Sequence, residues 1–339
     1  MSIVDRLRFG AAHTRADTAE PIATLTLDLA SGVISAAALQ AEITSHLINA
    51  RLAIALNAGD RELLIPGHQP IRFSSDNPLS PNNNLRIYEE TTTLALSYLI
   101  DRFRTATFFD IGAGIGYFSR IAASSLSCDV TVHAFEMRPD RLQRLRACVA
   151  GDTFGAQVHS HLIGLTDTHK GENEIYYASS ILFETPPQAR DYRERWRWLK
   201  FNVRGGFNRD FASAKVLMTS LDHFCASQAA RPDIIKIDVD GYEGRVLEGA
   251  TETLKRDRPF LLLELHKDKK LRFGVRRRDI AERLFEAGYR ALFFTDHQNR
   301  LKCKVIDLSR GNALIDRQET DLILFYHPGY LDVRPAATR

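Results

Sequence analysis

Phe108–Phe109–Asp110–Ile111–Gly112–Ala113–Gly114–Ile115–Gly116–Tyr117–Phe118 joins a short apolar run to a glycine at every second position and then to a helix-forming segment. Glycine permits positive φ and lets backbone approach a ligand closely. A helix that starts right after such a turn offers unpaired N–H groups at its first turn. Strand, glycine turn and helix in that order open a Rossmann-like α/β domain. Gly112, Gly114 and Gly116 are therefore candidate cofactor-binding positions.

Outward from this stretch the pattern stays regular. TATFFDI, VTVHAFE, AQVHSHLIG, DIIKIDV, PFLLLELH, YRALFFT and LILFYH read as strands. Amphipathic segments at 117–126, 139–150, 243–256 and 276–287 separate most of them. Such alternation predicts βαβ units and a mostly parallel, seven-stranded sheet with helices on both faces. The last strand, 322–327, is expected to close an edge in antiparallel fashion. Residues 86–339 are assigned to this domain and residues 1–85 to an N-terminal segment, partly helical, a candidate cap or oligomerisation element. Within that segment Ala36–Leu56 carries Leu39, Ile43, Leu47, Ile48, Leu52 and Leu56 at helical spacing, and a second helix is expected over 88–103. Pro66–Asn84, dense in Pro, Asn and Ser, reads as a loop.

Three positions extend the cofactor reading. Asp110 sits next to the glycine turn, where a carboxylate meets an ammonium. A pyrophosphate at a helix N-terminus gains nothing from that added anion. Tyr117 also stands where the GxGxxG pattern of nicotinamide enzymes has its last glycine. Both features favour S-adenosylmethionine. Glu136, ending the second strand about 20 residues on, is placed to accept the hydroxyls of an adenosine ribose. Leu165 and Asp167 follow the third strand; Leu165 is a candidate cover for the adenine ring and Asp167 a candidate partner of its amine, with an Asp-initiated turn as the competing reading.

The fourth strand delivers Lys236, Asp238 and Asp240 at alternate positions, and the fifth ends on Glu264 and His266. Ligands of open α/β sheets gather at the carboxyl ends of strands. Asp238, Glu264 and His266 are the candidate catalytic residues, with His266 or a carboxylate as general base for a hydroxyl acceptor. Mg²⁺ held by the same oxygens is the less favoured alternative, and no metal ligands are assigned. The ordinary reading makes Lys236 a buried ion-pair partner and Asp238 or Glu243 a helix cap.

FFDIGAGIGYFS, HAFEMRPDRLQRL, TSLDHF, IIKIDVDGYEGRVLEGA and LLLELH, taken together, resemble the FkbM family of methyltransferases over roughly Tyr88 to His266. That resemblance implies a class I methyltransferase fold and O-methylation of a hydroxyl on a sugar, glycan or secondary metabolite. It also implies cofactor roles for Asp110, Gly112, Gly116 and Glu136. The chain departs from the family's usual pattern at Gly114, where Asn is common, and at Asp240, where Glu is.

Composition bounds the rest. The chain has 339 residues, 44% of them hydrophobic, and a formal net charge of +3. Charge alone thus gives no case for nucleic-acid binding. A nucleic-acid methyltransferase, or a cofactor-binding protein without catalysis, stands as the alternative, weakened by the lack of a [DN]PP[YF] signature. No apolar run nears the roughly 20 residues needed to span a bilayer, and the first 20 residues lack the apolar core of a secretory signal. Four scattered cysteines, Cys128, Cys148, Cys225 and Cys303, suit a reducing cytosol. A cytoplasmic enzyme is expected. Residues 172–217 break the alternation and are rich in Arg and aromatic residues, which suggests an insertion acting as a lid. The basic run Lys267–Arg278 leaves an anionic acceptor open. An N-terminal apolar stripe would allow a homo-oligomer.

Overall fold

The computed structural model describes residues 35–57, 60–73, 87–178, 181–183 and 212–330. The central sheet has eleven strands. Seven of them are the predicted ones: β4 (Thr105–Ile111), β5 (Asp129–Glu136), β6 (Val158–Leu165), β10 (Ile234–Ile237), β11 (Phe260–Leu265), β12 (Arg290–Phe294) and β14 (Asp321–Tyr326). They lie in the order β6-β5-β4-β10-β11-β14-β12. Strands β6 to β11 run parallel, and β14 is antiparallel to both its neighbours. This corrects the expected place of the last strand: it inserts between β11 and β12 and does not close an edge. Its sequence, DLILFY, is buried at every position, as an interior strand with both faces covered must be.

Four more strands widen the sheet. β13 (Val305–Leu308) pairs with β12 at one edge. At the other, β9 (Ala212–Thr219) joins β6 in parallel and takes β7 (Gly171–Ala178) and then β8 (Ile181–Phe183) in antiparallel fashion. The described ends of the predicted insertion are thus a sheet extension. Its arginine- and tryptophan-rich centre, 184–211, and with it the expected lid, lies outside the described residues.

Alternation along the strands makes two cores. Phe108, Ile234 and Leu262 point to one face; Phe109, Ile235 and Leu261 point to the other. α3 (Tyr117–Ala123) packs on the first face. On the second lie α5 (Leu221–Gln228), α6 (Glu243–Glu248), α7 (Thr251–Asp257) and α8 (Arg277–Glu286). α4 (Pro139–Ala150) begins with proline at its first position, where the missing N–H costs nothing.

The N-terminal helix α1 is Ala36–Asn49, capped by the Ser35 side chain. It ends seven residues earlier than the apolar spacing predicts, because the chain turns into β1 (Ala53–Asn57). β1, β2 (Asp60–Leu64) and β3 (Ile71–Phe73) form a separate antiparallel sheet that the helical stripe did not signal. Leu39, Ile43 and Leu47 are buried in the same core as Leu94 and Tyr98 of α2 (Glu90–Ile100), whereas Ile48 is 67% exposed. The stripe therefore finds its cover within the chain. Among the described residues no helix is long and apolar enough to cross a membrane.

Candidate active site

The chain leaves β4 for one side of the sheet and returns to β10 on the other, so the strand order reverses between these neighbours. A crevice opens outside their carboxyl ends, the usual ligand position in such sheets. Two adjoining hollows occupy it. Gly112, Arg138, Arg141, Asp238 and Asp240 line both.

The glycine loop forms the floor. Gly112, Gly114 and Gly116 all have positive φ, at 83°, 59° and 84°. At Gly112 the reason is contact: a Cβ there would sit 1.9 Å from the Asp238 carbonyl oxygen. At Gly114 a Cβ would meet nothing within 4 Å, so that glycine faces open space. Asp110 does not line the crevice. It is buried beneath the loop, where its Oδ2 accepts from the Ser119 hydroxyl at 2.6 Å, tying strand end to α3. Its Oδ1 is buried without a hydrogen-bond partner among the described residues. Burial raises its pKa, and nearby Lys236 opposes the rise.

Glu136 closes the first hollow. Its two oxygens accept from Gly114 N–H at 3.0 Å and Arg138 N–H at 2.8 Å. Those bonds fix the carboxylate and leave lone pairs for a ligand. Leu165 lines the same hollow with Ile163, Phe135 and Met218, an apolar slot fit for a flat ring. Asp167 lies apart from both linings. It accepts from Arg245 at 2.7 Å and from the Thr166 hydroxyl at 2.8 Å, and pairs with Lys170 at 3.2 Å. Its oxygens are thus engaged by side chains of the protein.

Asp238, Asp240, Glu264 and His266 meet in the second hollow. β10 stops at Ile237 and Asp240 is left-handed (φ 54°), so the turn after the strand, not strand alternation, brings Asp240 there. Lys236, buried beneath them, holds its Nζ 3.5 Å from Asp238 Oδ2 and 4.4 Å from the centre of the Phe118 ring. Burial alone would discharge this lysine, but Asp238, Glu89, Asp110 and Glu264 raise its pKa above the ordinary value. In the same way burial acts to raise the Asp238 pKa, and Lys236, His266 and Lys270 overturn that effect and lower it. Asp238 is therefore a carboxylate. Glu264 goes the other way: burial, then the Asp238 and Glu89 charges, push it up to about 9. It carries a proton at neutral pH and can donate a hydrogen bond.

The folded state thus binds more protons at Glu264 than the unfolded chain does, between about pH 4.5 and 9. By linkage this contribution to stability is complete at acid pH and is lost as pH rises through 9. Glu264→Gln, which mimics the neutral acid, should flatten that decline. Melting temperatures of both proteins from pH 5 to 9.5 check it. Parallel curves would show that Glu264 titrates normally.

Two residues escaped the sequence reading. Glu243, expected only as a cap, is fully buried and places Oε1 2.5 Å from His266 Nδ1. Its Oε1 also accepts from Gly241 N–H. His266 Nε2 is left facing the hollow, 3.6 Å from Glu264 and 3.8 Å from Asp240. Neither distance is a hydrogen bond. The spacing of Glu243 and His266 in the chain, on different elements, gave no sign of their contact. Glu89 is the other: it is buried, non-glycine and left-handed (φ 41°), with Oε2 unpaired among the described residues. Only the burial of the α2 start, invisible in a polar YEETTT stretch, reveals it.

Each of Asp238, Glu264 and His266 offers a ligand atom within 4.8 Å of the others, and Glu89, Glu264 and His297 form a second such group. In the first, His266 Nδ1 is already taken by Glu243, and the Lys236 ammonium beside Asp238 already supplies a cation. Mg²⁺ finds no support in that arrangement.

A family model described as the methyltransferase FkbM domain matches residues 110–291. The chain belongs to the FkbM methyltransferase family. That span runs from Asp110 to β12 and includes the glycine loop, Glu136, Asp238, Glu243, Glu264 and His266. Glu89 and the N-terminal sheet lie outside it. Among solved structures, the FkbM methyltransferase of Methylobacillus flagellatus is 15% identical, with a TM-score of 0.38, and the match covers 66% of this chain and 44% of that one. The chain thus spans less than half of that relative's length. The O-methyltransferase TomG of Streptomyces achromogenes, solved with S-adenosylmethionine, is 13% identical (70% of this chain, 80% of that one, TM-score 0.37). The fibrillarin pre-rRNA processing protein of Methanococcus jannaschii is 10% identical (82% and 99%, TM-score 0.39). No curated protein matches.

Proposed function

We propose that this FkbM-family chain is an S-adenosylmethionine-dependent O-methyltransferase acting on a hydroxyl of a small molecule or glycan. One observation carries the reading. His266 is held at Nδ1 by buried Glu243 and turns Nε2 into the hollow that the glycine loop also lines. An imidazole that donates through Nδ1 has its lone pair at Nε2, ready to take a hydroxyl proton.

The residues present fit the cofactor. Glu136 offers acceptor lone pairs for ribose hydroxyls, the Ile163–Leu165 slot suits a purine, and Gly114 leaves open space above the loop. When bound, S-adenosylmethionine supplies the electrophilic methyl group. The protein's part is to orient and deprotonate the acceptor. Neutral Glu264 donates toward the acceptor oxygen, and Asp238, fixed by Lys236, accepts from a neighbouring hydroxyl. His266 takes the proton, and Glu243 stabilises the imidazolium that results.

Glu136→Ala should weaken S-adenosylmethionine binding by about 1–3 kcal/mol, the cost of leaving ribose hydroxyls without a charged partner. Isothermal titration of the folded variant measures it. An unchanged dissociation constant would remove Glu136 from the ribose site and, with it, the placement of the cofactor.

A further inference from the structure

Charge balance in the second hollow points to the kind of acceptor. Arg138, Arg141 and Arg144 follow one another at three-residue intervals along α4 and all line that hollow, together with Lys236 and Lys270. Residues three apart share a helix face. Its carboxylates are matched by cations: Asp140 by Arg138 at 2.7 Å, Asp238 by Lys236 at 3.5 Å, and Asp240 by Lys270. Glu264 is neutral at pH 7. Arg141 and Arg144 remain, with no carboxylate in ion-pair reach among the described residues. Arg141 is half-buried and Arg144 exposed. Arg141 acts on Glu136 only at longer range.

Two guanidiniums with no carboxylate within ion-pair distance among the described residues, both lining a substrate hollow, attract an anion. Guanidinium groups bind phosphate bidentately, and a phosphate monoester near pH 7 carries close to two negative charges. A single carboxylate would leave one of the two cations unmatched. We propose that Arg141 and Arg144 form a phosphate subsite and that the methyl acceptor is a small phosphorylated metabolite, such as a sugar phosphate. This rests on the O-methyltransferase reading above, because the phosphate is taken to be a part of the acceptor beside its reacting hydroxyl. α4 places the anion at the rim, while Asp238, Glu264 and His266 lie deeper at the strand ends. An acceptor held by its phosphate would therefore present its hydroxyl inward.

Inorganic pyrophosphate is the probe, titrated calorimetrically into the full chain and into Arg141→Gln and Arg144→Gln. Arg144 is exposed on α4, whereas Arg141 is half-buried and lies one turn before Leu145, which with Leu142 and Val149 carries the packing of the helix. Wild type should bind pyrophosphate, and each variant should bind it at least about tenfold more weakly, as expected when a charge-assisted hydrogen bond is lost. S-adenosylmethionine affinity should not change in Arg144→Gln, which also reports that this variant is folded; circular dichroism reports the fold of Arg141→Gln, whose arginine also lines the cofactor hollow. No pyrophosphate binding by a wild type that binds S-adenosylmethionine overturns this inference alone. Failure of wild type to bind S-adenosylmethionine overturns the functional reading and this inference with it. Loss of S-adenosylmethionine affinity in Arg144→Gln assigns that arginine to the cofactor's carboxylate and overturns the subsite. Binding of an RNA oligonucleotide but not of pyrophosphate overturns it too.

Discussion

Replacing His266 with alanine should lower kcat by about 10²-fold or more while leaving S-adenosylmethionine affinity intact. The expectation follows from what Nε2 can reach. It faces the hollow and makes no hydrogen bond among the described residues, with carboxylate oxygens of Glu264 at 3.6 Å and Asp240 at 3.8 Å. A structural histidine would have both nitrogens engaged. Glu243→Gln separates proton transfer from positioning. Because Gly241 N–H donates to the same Oε1 that meets Nδ1, the Gln oxygen takes that place and the imidazole keeps its tautomer. What is lost is the negative charge that stabilises the imidazolium formed on proton transfer. Turnover should fall and the acceptor KM should stay near its wild-type value. Steady-state kinetics on both variants, with cofactor titrations beside them, distinguish the cases. Normal turnover in His266→Ala would make the histidine structural and leave Asp238 as the candidate base.

The second large effect belongs to the loop. Gly112→Ala should destabilise the fold by about 2–5 kcal/mol, combining a left-handed residue with an overpacked contact. A Cβ there would press to 1.9 Å on the Asp238 carbonyl. That carbonyl cannot retreat freely, because Asp238 N–H is bonded to Ile111 at the end of β4. Whatever shift does occur moves Asp238 in the hollow, so activity should fall with stability. Gly114→Ala is the control. Its Cβ meets nothing, so its stability cost is only the positive φ, about 1–2 kcal/mol. Its effect should appear in cofactor affinity, because the methyl projects into open space over the loop. Urea denaturation and S-adenosylmethionine titration of the two variants read both quantities. Equal stability losses would contradict the packing account.

What could be read in the sequence, and what could not, divides along physical lines. All seven predicted strands appear, because each is a short segment rich in apolar residues and bounded by turn residues. The convergence of Asp238, Glu264 and His266 was legible too, from the rule that sites sit at strand ends; Asp240 joins them through a left-handed turn beyond β10, which alternation does not describe. Contacts between distant segments were not. Glu243 in a helix and His266 beyond a strand meet through the tertiary fold, and neither residue type marks the other. The position of β14 was missed because its run, equally apolar at every residue, fits an interior place that local pattern cannot specify. The N-terminal sheet was hidden by Leu52 and Leu56, which continue the helical spacing of α1 by coincidence. Asp167 shows the opposite error: it occupies a plausible position after β6, yet Arg245 from α6 claims it.

The most direct measurement supplies S-adenosylmethionine with a labelled methyl group to the wild-type chain and to His266→Ala, each with a metabolite extract, and identifies labelled products by mass spectrometry. The account predicts label in an O-methyl ether formed by the wild type, and at least about 10²-fold less of it with the variant. Label on nitrogen, on carbon or in RNA, or equal O-methylation by both proteins, would contradict it.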